Sequence, residues 1–191
     1  GCLSFNGNKM ITTGGGGMIV GHDIGKIEHV RYLVNQAKDK AQPGYHSEMG
    51  FNYRMTNVEA ALGLAQFEQL EGFLEQKVRF HEIYRQQLAD RGEMMFQESE
   101  PRAQPCYWLN GVRVIGDKDA SGLVEALRLK DISARKVFVP LGEMPYLKDF
   151  ARPCPVAESI YQTGLCLPSS TLHSPEQIDR VAELLKKGLN G

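Results

Sequence analysis

The chain has 191 residues, 42% of them hydrophobic and 24% charged, a composition typical of a globular protein with one large domain or two small ones. Its net charge of −1 comes from 22 Lys and Arg against 23 Asp and Glu, and this balance disfavours nucleic acid or an anionic membrane as the main partner. No apolar run approaches the roughly 20 residues of a membrane span. The four cysteines include no CxxC pair and indicate reduced thiols in a cytoplasmic protein. The histidines show no metal-ligand spacing, so no metal site is predicted.

The first 20 residues place a lysine between a tight turn and four consecutive glycines. Asn6–Gly7 is a typical turn pair, and Lys9 follows it directly. The β-prone run 10–13 and the run 18–20 are predicted to form the two strands of a hairpin. Two interpretations are open: Lys9 lies on the solvated surface of this hairpin, or it presents an amine to a carbonyl while Ser4 presents a hydroxyl to a phosphate.

A helix and a long loop are predicted next. The helix runs from about Ile24 to Ala37, with Asp23 as its N-cap. Residues 38–57 then form a polar loop that is long for a simple connection, and long ordered loops are often functional. Four polar or aromatic side chains in this loop are candidates for ligand contacts: His46, Asn52, Tyr53 and Arg54.

The most extended element is a helical pattern over residues 56–90. Thr56 and Glu59 have the spacing of a capping box, which marks its start. A helix of this length would span about 50 Å and exceeds the usual size in globular proteins. It must therefore connect two domains, line a dimer interface, or break at Gly63 or Gly72.

The last part of the chain alternates between strand and helix patterns. It follows a linker-like stretch at residues 98–105. The predicted elements are a strand at 106–115, a helix at 119–129, a strand at 132–139, a loop at 140–152, a helix at 156–163, a buried strand at 165–167 and a helix at 174–187. This alternation predicts a small α/β sandwich.

Lys9 is the candidate for chemistry. A lysine forms a Schiff base with an aldehyde when its surroundings lower its pKa. Pyridoxal phosphate carries both an aldehyde and a phosphate, and Ser4 and the glycine-rich turn can offer hydroxyl and N–H groups to that phosphate. A P-loop does not fit, because that motif needs Gly before the lysine and Ser or Thr after it, whereas Asn8 and Met10 flank Lys9.

Two segments carry a resemblance to a known family: SFNGNKMITTGGGG at residues 4–17 and GFNYRMTNVEAALG at residues 50–63. Together they resemble the DegT/DnrJ/EryC1/StrS family of nucleotide-sugar aminotransferases, which are pyridoxal-phosphate enzymes of the aspartate-aminotransferase fold (fold type I). The resemblance covers essentially the whole chain and implies the C-terminal portion of this α/β fold. Residues 1–55 would be a remnant of the large domain, and residues 56–191, including the long helix, would be the small domain.

The resemblance also implies roles for particular residues. Lys9 corresponds to the lysine that carries the cofactor, and Ser4 to the serine that bonds the cofactor phosphate. Asn52 corresponds to an asparagine that reaches the phosphate of the neighbouring subunit's cofactor, so a homodimer with shared active sites is implied. Three further residues are expected to contact substrate or phosphate: His46, Tyr53 and Arg54.

The implied reaction is transamination from an amino acid, usually glutamate in this family, to a keto sugar on a nucleotide. The branch that the sequence resembles most acts on UDP-linked 4-keto-6-deoxy-N-acetyl sugars for surface glycans. Two positions depart from the common pattern: Gly15 replaces a glutamate, and Gly142 replaces a histidine that often follows Pro-Leu. Because the family's acidic and aromatic cofactor contacts lie upstream of the serine, the chain is expected to be a C-terminal fragment that binds the cofactor weakly alone.

Two other functions stay open. A sugar dehydratase of the same fold resembles this branch but carries histidine in place of the lysine, so Lys9 argues against it. A non-catalytic binding or dimerisation module could use the long helical pattern at 56–90 as its interface.

Overall fold

The computed structural model describes residues 1–116 and 120–189. It divides into two compact units, Gly1–Gly72 and Phe73–Gly191. The domain boundary predicted from the sequence, between residues 55 and 56, stays a prediction. Within the described ranges, no helix combines the length and the apolar character needed to cross a membrane.

The first unit opens with a two-stranded antiparallel ribbon. Strand β1 (Cys2–Ser4) pairs with β2 (Gly17–Ile19), so that Ser4 lies opposite Gly17. The predicted strand at residues 10–13 is wrong, because this run belongs to the loop that joins β1 to β2. Its backbone groups bond elsewhere: the N–H of Thr13 donates to the Phe5 carbonyl at 3.0 Å.

Helix α1 (Ile24–Val34) begins as predicted, with the Asp23 side chain accepting a hydrogen bond from the Lys26 N–H. It ends three residues before the predicted Ala37. The reason is local: Gln36 (φ 66°) and Ala37 (φ 49°) adopt left-handed backbone conformations, which a right-handed helix cannot contain.

The predicted helix over residues 56–90 is interrupted. Helix α2 (Asn57–Phe67) and helix α3 (Leu70–Leu88) are separated at residues 68–69, and a 3₁₀ turn at Ala89–Arg91 follows. The capping box predicted for α2 is confirmed, since Thr56 and Glu59 bond each other's backbone N–H. The break lies at neither predicted glycine. Instead, the Gln69 N–H donates to the Gln66 carbonyl at 3.0 Å, a tighter turn that ends α2.

The second unit contains a four-stranded antiparallel sheet of order β3-β4-β6-β5. Its strands are β3 (Met94–Phe96), β4 (Asn110–Val114), β5 (Arg135–Lys136) and β6 (Gly164–Leu167), and its further helices are α4 (Ala120–Arg128), α5 (Pro155–Thr163) and α6 (Pro175–Leu189). The predicted alternation is therefore confirmed from residue 110 onward. Strand β3 was not predicted, and the predicted loop 140–152 contains two 3₁₀ helices, Leu141–Glu143 and Pro145–Phe150. The predicted start of α4 at Asp119 lies outside the described residues.

The hydrophobic core of the second unit lies where α3, α4 and α6 pack on the sheet. Phe80, Tyr84 and Leu88 project from α3 and are fully buried. They pack in one cluster with Val112, Val114, Leu165, Leu167, Ile178, Val181, Leu185, Leu123 and Leu127. The apolar area removed from water by such side chains is the main stabilising contribution to this unit.

Two buried polar residues of α3 fix the loop before β4. The ammonium group of Lys77 donates to the carbonyl of Trp108 at 3.1 Å and to that of Ser169, and burial lowers the pKa of Lys77. One turn later, the His81 ring stacks on Tyr107 with 3.8 Å between ring centroids. These contacts hold Tyr107 in a left-handed conformation (φ 43°), which shortens the strand predicted at 106–115.

Replacement of Lys77 tests this polar anchor. Lys77→Met leaves two buried carbonyls without their donor, so we expect the free energy of unfolding to fall by about 1–3 kcal/mol. Denaturant titration followed by the fluorescence of Trp108, the single tryptophan, measures this change. Lys187→Met at an exposed position of α6 is the control, and an equal effect of both substitutions would contradict the anchor.

The pH dependence of stability tests the buried state of His81. Burial lowers the pKa of His81 although its Nδ1 bonds Asn110 Oδ1 at 3.0 Å. The unfolded chain then binds the proton first, so stability is complete above about pH 6.5 and falls as the pH drops towards the folded-state pKa. Between pH 7.5 and 5.5 we expect the wild type to lose stability by at most about 1.4 kcal/mol per pH unit, and His81→Phe to lose less. Parallel curves for the two proteins would rule out this assignment.

Candidate active site

The loop that joins β1 to β2 carries Lys9. The Lys9 N–H donates to the Asn6 carbonyl at 2.9 Å, which closes a turn over residues 6–9, one position further along than the predicted Asn6–Gly7 pair. Ser4 ends β1 directly before this turn, and its hydroxyl oxygen accepts from the Asn6 N–H at 3.4 Å. Lys9 itself is half-buried. The structure thus places the serine and the lysine on the two sides of one short turn.

The glycine run closes the loop, and three of its four positions require glycine. Gly14 (φ 83°) and Gly16 (φ 93°) lie in the left-handed region. At Gly17 an added Cβ would lie 2.5 Å from the Leu3 carbonyl oxygen across the strand pair. Gly15 has an ordinary φ, and an added Cβ there meets no atom within 4 Å. A side chain at position 15 is therefore sterically permitted, although this sequence has none.

Helix α2 holds the loop from one side, which the sequence did not reveal. The Gln66 side chain accepts a hydrogen bond from the Thr12 N–H at 3.0 Å and donates one to the Thr12 carbonyl at 2.8 Å. One turn earlier, Gly63 lies against Thr13: a Cβ at Gly63 would be 2.8 Å from the Thr13 methyl group. In the sequence, these contacts are indicated only by position: Gly63 ends the second family-like segment, and Gln66 follows it by three residues.

The segment 51–54 is fixed on the end of α1. The Phe51 N–H donates to the Leu33 carbonyl at 2.7 Å, and the Tyr53 N–H donates to the Val34 carbonyl at 3.1 Å. These bonds satisfy two of the carbonyls that a helix leaves open at its C-terminus. The Tyr53 ring is 74% exposed and stacks on Phe51 with 5.2 Å between centroids.

A surface groove of about 830 Å³ brings part of the predicted site together. Its polar lining includes Asn52, Tyr53 and Arg54, and β1, β2 and α1 supply apolar walls. Ser4, Lys9 and His46 are not among its lining residues. His46 instead bonds its own loop, with Nδ1 2.6 Å from the Gln36 carbonyl oxygen. The predicted roles of all six residues stay predictions.

The groove lining carries charges of both signs. It includes Arg54, Arg31 and Glu59, and Arg31 is paired with Glu28. Hydrogen bonds from the Thr56 backbone and hydroxyl lower the pKa of Glu59, so this carboxylate stays ionised in its capping role. Among the described residues, no group of three or more His, Cys, Asp or Glu is arranged to hold a metal ion.

The first unit buries little of its own apolar surface. Of its 72 residues, all of them described, only Thr13 and Ala37 are buried. Several large apolar side chains are exposed on the ribbon and on α2: Leu3, Met18, Ile19, Val20, Val58, Leu62, Leu64 and Phe67. Extended apolar surface of this kind is characteristic of a face that other polypeptide covers.

The fold of this chain corresponds to about half of a larger protein of known structure. The crystal structure of the aminotransferase TlmJ from Streptoalloteichus hindustanus superposes with a TM-score of 0.91 at 22% identity, over 100% of this chain and 52% of that chain. The family model of the DegT/DnrJ/EryC1/StrS aminotransferases matches residues 1–186. The chain belongs to this family.

Curated relatives agree with the family assignment. EpsN of Bacillus subtilis, named as a pyridoxal phosphate-dependent aminotransferase, is 33% identical over 97% of this chain and 49% of its own length. GDP-perosamine synthase of Escherichia coli O157:H7 is 32% identical over 97% of this chain and 50% of its own length. The chain thus spans about half the length of the curated relatives it matches.

Two glycine substitutions test the geometry of the lysine loop. Gly17→Ala forces a contact with the Leu3 carbonyl, so we expect local opening of the β1–β2 pair to become easier by about 1–3 kcal/mol. Gly15→Ala meets open space and an ordinary φ, so it should leave the loop unchanged or stabilise it by up to about 1 kcal/mol. The measurement is hydrogen–deuterium exchange of the peptide 1–20, which we expect to be faster in Gly17→Ala than in Gly15→Ala. Equal exchange in the two variants would disprove the described register.

Proposed function

We propose that this protein is a pyridoxal-phosphate-dependent aminotransferase that transfers an amino group from an amino acid, with glutamate as the expected donor, to a nucleotide-linked keto sugar. The observation that carries the proposal is the family match over residues 1–186, with Lys9 held in the hydrogen-bonded loop between β1 and β2. The dehydratase alternative is disfavoured by Lys9, since that branch carries histidine there.

The residues of the loop fit the chemistry of pyridoxal phosphate. Lys9 offers an amine on a half-buried stem, and Ser4 offers an exposed hydroxyl on the other side of the turn. The space beside Gly14 and Gly15 is open, because an added Cβ at either position meets no atom within 4 Å. The Lys9 amine and the Ser4 hydroxyl thus lie on the two sides of one turn, where they could bind the aldehyde and the phosphate of a single ligand.

Each residue has a distinct task in the proposed reaction. The Nζ amine of Lys9 would hold the cofactor through its aldehyde and, once released from it, would carry a proton between the substrate carbon and the cofactor carbon that bears the aldehyde. Ser4 Oγ donates a hydrogen bond to the cofactor phosphate. Arg54 binds an anionic group of the substrate, a carboxylate or a nucleotide phosphate, at the edge of the groove. Bound pyridoxal phosphate supplies the electron sink for the transfer.

The proposal includes a cytoplasmic homodimer with shared sites. Asn52 lines the groove with an exposed side chain, in the right setting to reach a ligand held by a second copy. Exposed Val58, Leu62 and Phe67 on α2 supply apolar area for such an interface. His46 and Tyr53 are proposed as further contacts to substrate or phosphate in the same dimer. The four free cysteines agree with a reducing compartment.

A transfer assay with the protein expressed from its complete reading frame tests the activity. Glutamate and nucleotide-linked 4-keto-6-deoxy sugars are added, and the aminated nucleotide sugar is detected by mass spectrometry. We expect turnover that Lys9→Ala abolishes and that Lys40→Ala, at an exposed loop position, preserves. UDP- and GDP-linked sugars are compared, since the sequence favours UDP whereas a relative is named for a GDP sugar. Turnover that survives in Lys9→Ala would contradict the proposal.

Mixing two inactive variants tests the shared site. In a dimer whose sites combine Lys9 of one copy with Asn52 of the other, a mixed dimer of Lys9→Ala and Asn52→Ala has one site with both residues intact. Half of randomly assorted dimers are mixed, so co-expression should restore about a quarter of the wild-type activity. Activity no higher than that of the separate variants would show that both residues act within one copy.

A further inference from the structure

We propose that Gln66 is a positioning residue for Lys9: its side-chain amide fixes the loop in which the lysine amine is presented. The inference rests on the proposed role of Lys9 as the cofactor-bearing residue. Gln66 touches neither a substrate nor the reacting atoms, so its action passes through the backbone of Thr12.

The contact is bidentate and bridges a long distance in sequence. Gln66 bonds both backbone groups of Thr12, its N–H at 3.0 Å and its carbonyl at 2.8 Å, although the two residues are 54 positions apart. A side-chain amide carries N–H donors and an acceptor oxygen side by side, so it replaces the strand partner that residue 12 lacks. This pairing explains why the β-prone run 10–13 stays ordered without being a strand.

Thr12 passes this restraint on to the rest of the loop. Its hydroxyl donates to the Phe5 carbonyl at 2.9 Å and accepts from the Gly14 N–H at 2.9 Å. Thr12 therefore ties the residue after β1 to the first glycine of the run, and Lys9 lies on the segment between these two fixed points. The polar atoms of Thr12 are all satisfied, which defines one conformation for the loop.

Gly63 supplies a second contact from the same face of α2. Positions three apart on a helix are neighbours, so Gly63 and Gln66 meet successive loop residues, Thr13 and Thr12. The absence of a Cβ at Gly63 allows the Thr13 methyl group to approach the helix. Two helix positions thus fix Thr12 and Thr13, which follow Lys9 by three and four residues.

Loss of this restraint should affect catalysis more than binding of the sugar. A reacting amine displaced by about 1 Å can lose about 100-fold in rate, because the productive geometry is then seldom populated. For Gln66→Leu we expect kcat to fall about 10- to 100-fold while KM for the sugar changes less than about 3-fold. The pH midpoint of the absorbance band of lysine-bound cofactor should also shift, since the surroundings of the Lys9 amine change.

The experiment measures kcat, KM and the absorbance pH profile in the protein expressed from its complete reading frame. Gln66→Glu keeps an acceptor for the Thr12 N–H but turns a carboxylate oxygen towards the Thr12 carbonyl oxygen, so we expect its kcat to fall as well. Gln69→Leu is the matched control, because the Gln69 side chain, in the break after α2, donates to the Ala65 carbonyl of α2 and not to the lysine loop. Melting temperatures show which variants fold. If Gln66→Leu does not fold, the kcat and pH midpoint of Gln66→Glu and Gly63→Ala test the positioning role instead.

The outcomes separate the two proposals. A wild type without a lysine-bound cofactor band contradicts the proposed function and, with it, this inference. A wild type with the band and Gln66 variants that match Gln69→Leu in kcat and pH midpoint overturn the inference alone. Loss of kcat in both Gln66→Glu and Gln66→Leu relative to Gln69→Leu, with the midpoint shifted, supports the positioning role.

Discussion

The paired hydrogen bonds between Gln66 and the backbone of Thr12 are the constraint on which the candidate active site depends. The loop between β1 and β2 has twelve residues and no regular secondary structure, so the backbone groups of Thr12 that lack a partner within the loop need partners from outside. A helix that begins at a capping box supplies them. The capped start at Thr56 fixes where α2 begins, and Gln66 lies at its other end. The capping box at Thr56 thus sets the position of α2, and Gln66 at the end of α2 fixes the loop that carries Lys9.

The second unit uses the same principle with different residues. There, Lys77 and His81 of α3 hold the loop before β4 by hydrogen bonding and ring stacking. In both units, irregular segments are held by polar side chains of helices, and in the second unit the sheet is held by apolar packing. Buried polar contacts of this kind cost free energy when they are incomplete, so each tends to define a single conformation.

The features predicted correctly from the sequence are those set by a few neighbouring residues. The N-cap at Asp23, the capping box at Thr56 and the buried strand β6 depend on local chemistry. The errors have distant causes. Residues 10–13 have strand propensity, but the Gln66 side chain bonds the backbone of Thr12, and the Thr13 N–H donates to the Phe5 carbonyl. Strand β3 is too short to show a pattern and exists through its pairing with β4.

The sequence predicted which residues belong to the candidate site but not how they are arranged in space. Lys9, Ser4 and Asn52 follow from two motifs, and the structure places Ser4 and Lys9 on one turn and Asn52 in a groove beside Arg54. The hydrogen bond of His46 to Gln36 could not be inferred, because it depends on the left-handed turn after α1. Gln66 was missed for a similar reason: a glutamine on a helix is usually solvated, and its role here follows from a contact across 54 residues.

Reductive labelling tests whether Lys9 carries the cofactor, as proposed. The protein is loaded with pyridoxal phosphate and reduced with borohydride, and the modified residue is located by peptide mass spectrometry. If Lys9 carries the cofactor, the label is found on Lys9 and is lost in Lys9→Arg. A label on another lysine, or an equal amount of label in Lys9→Arg, would contradict it.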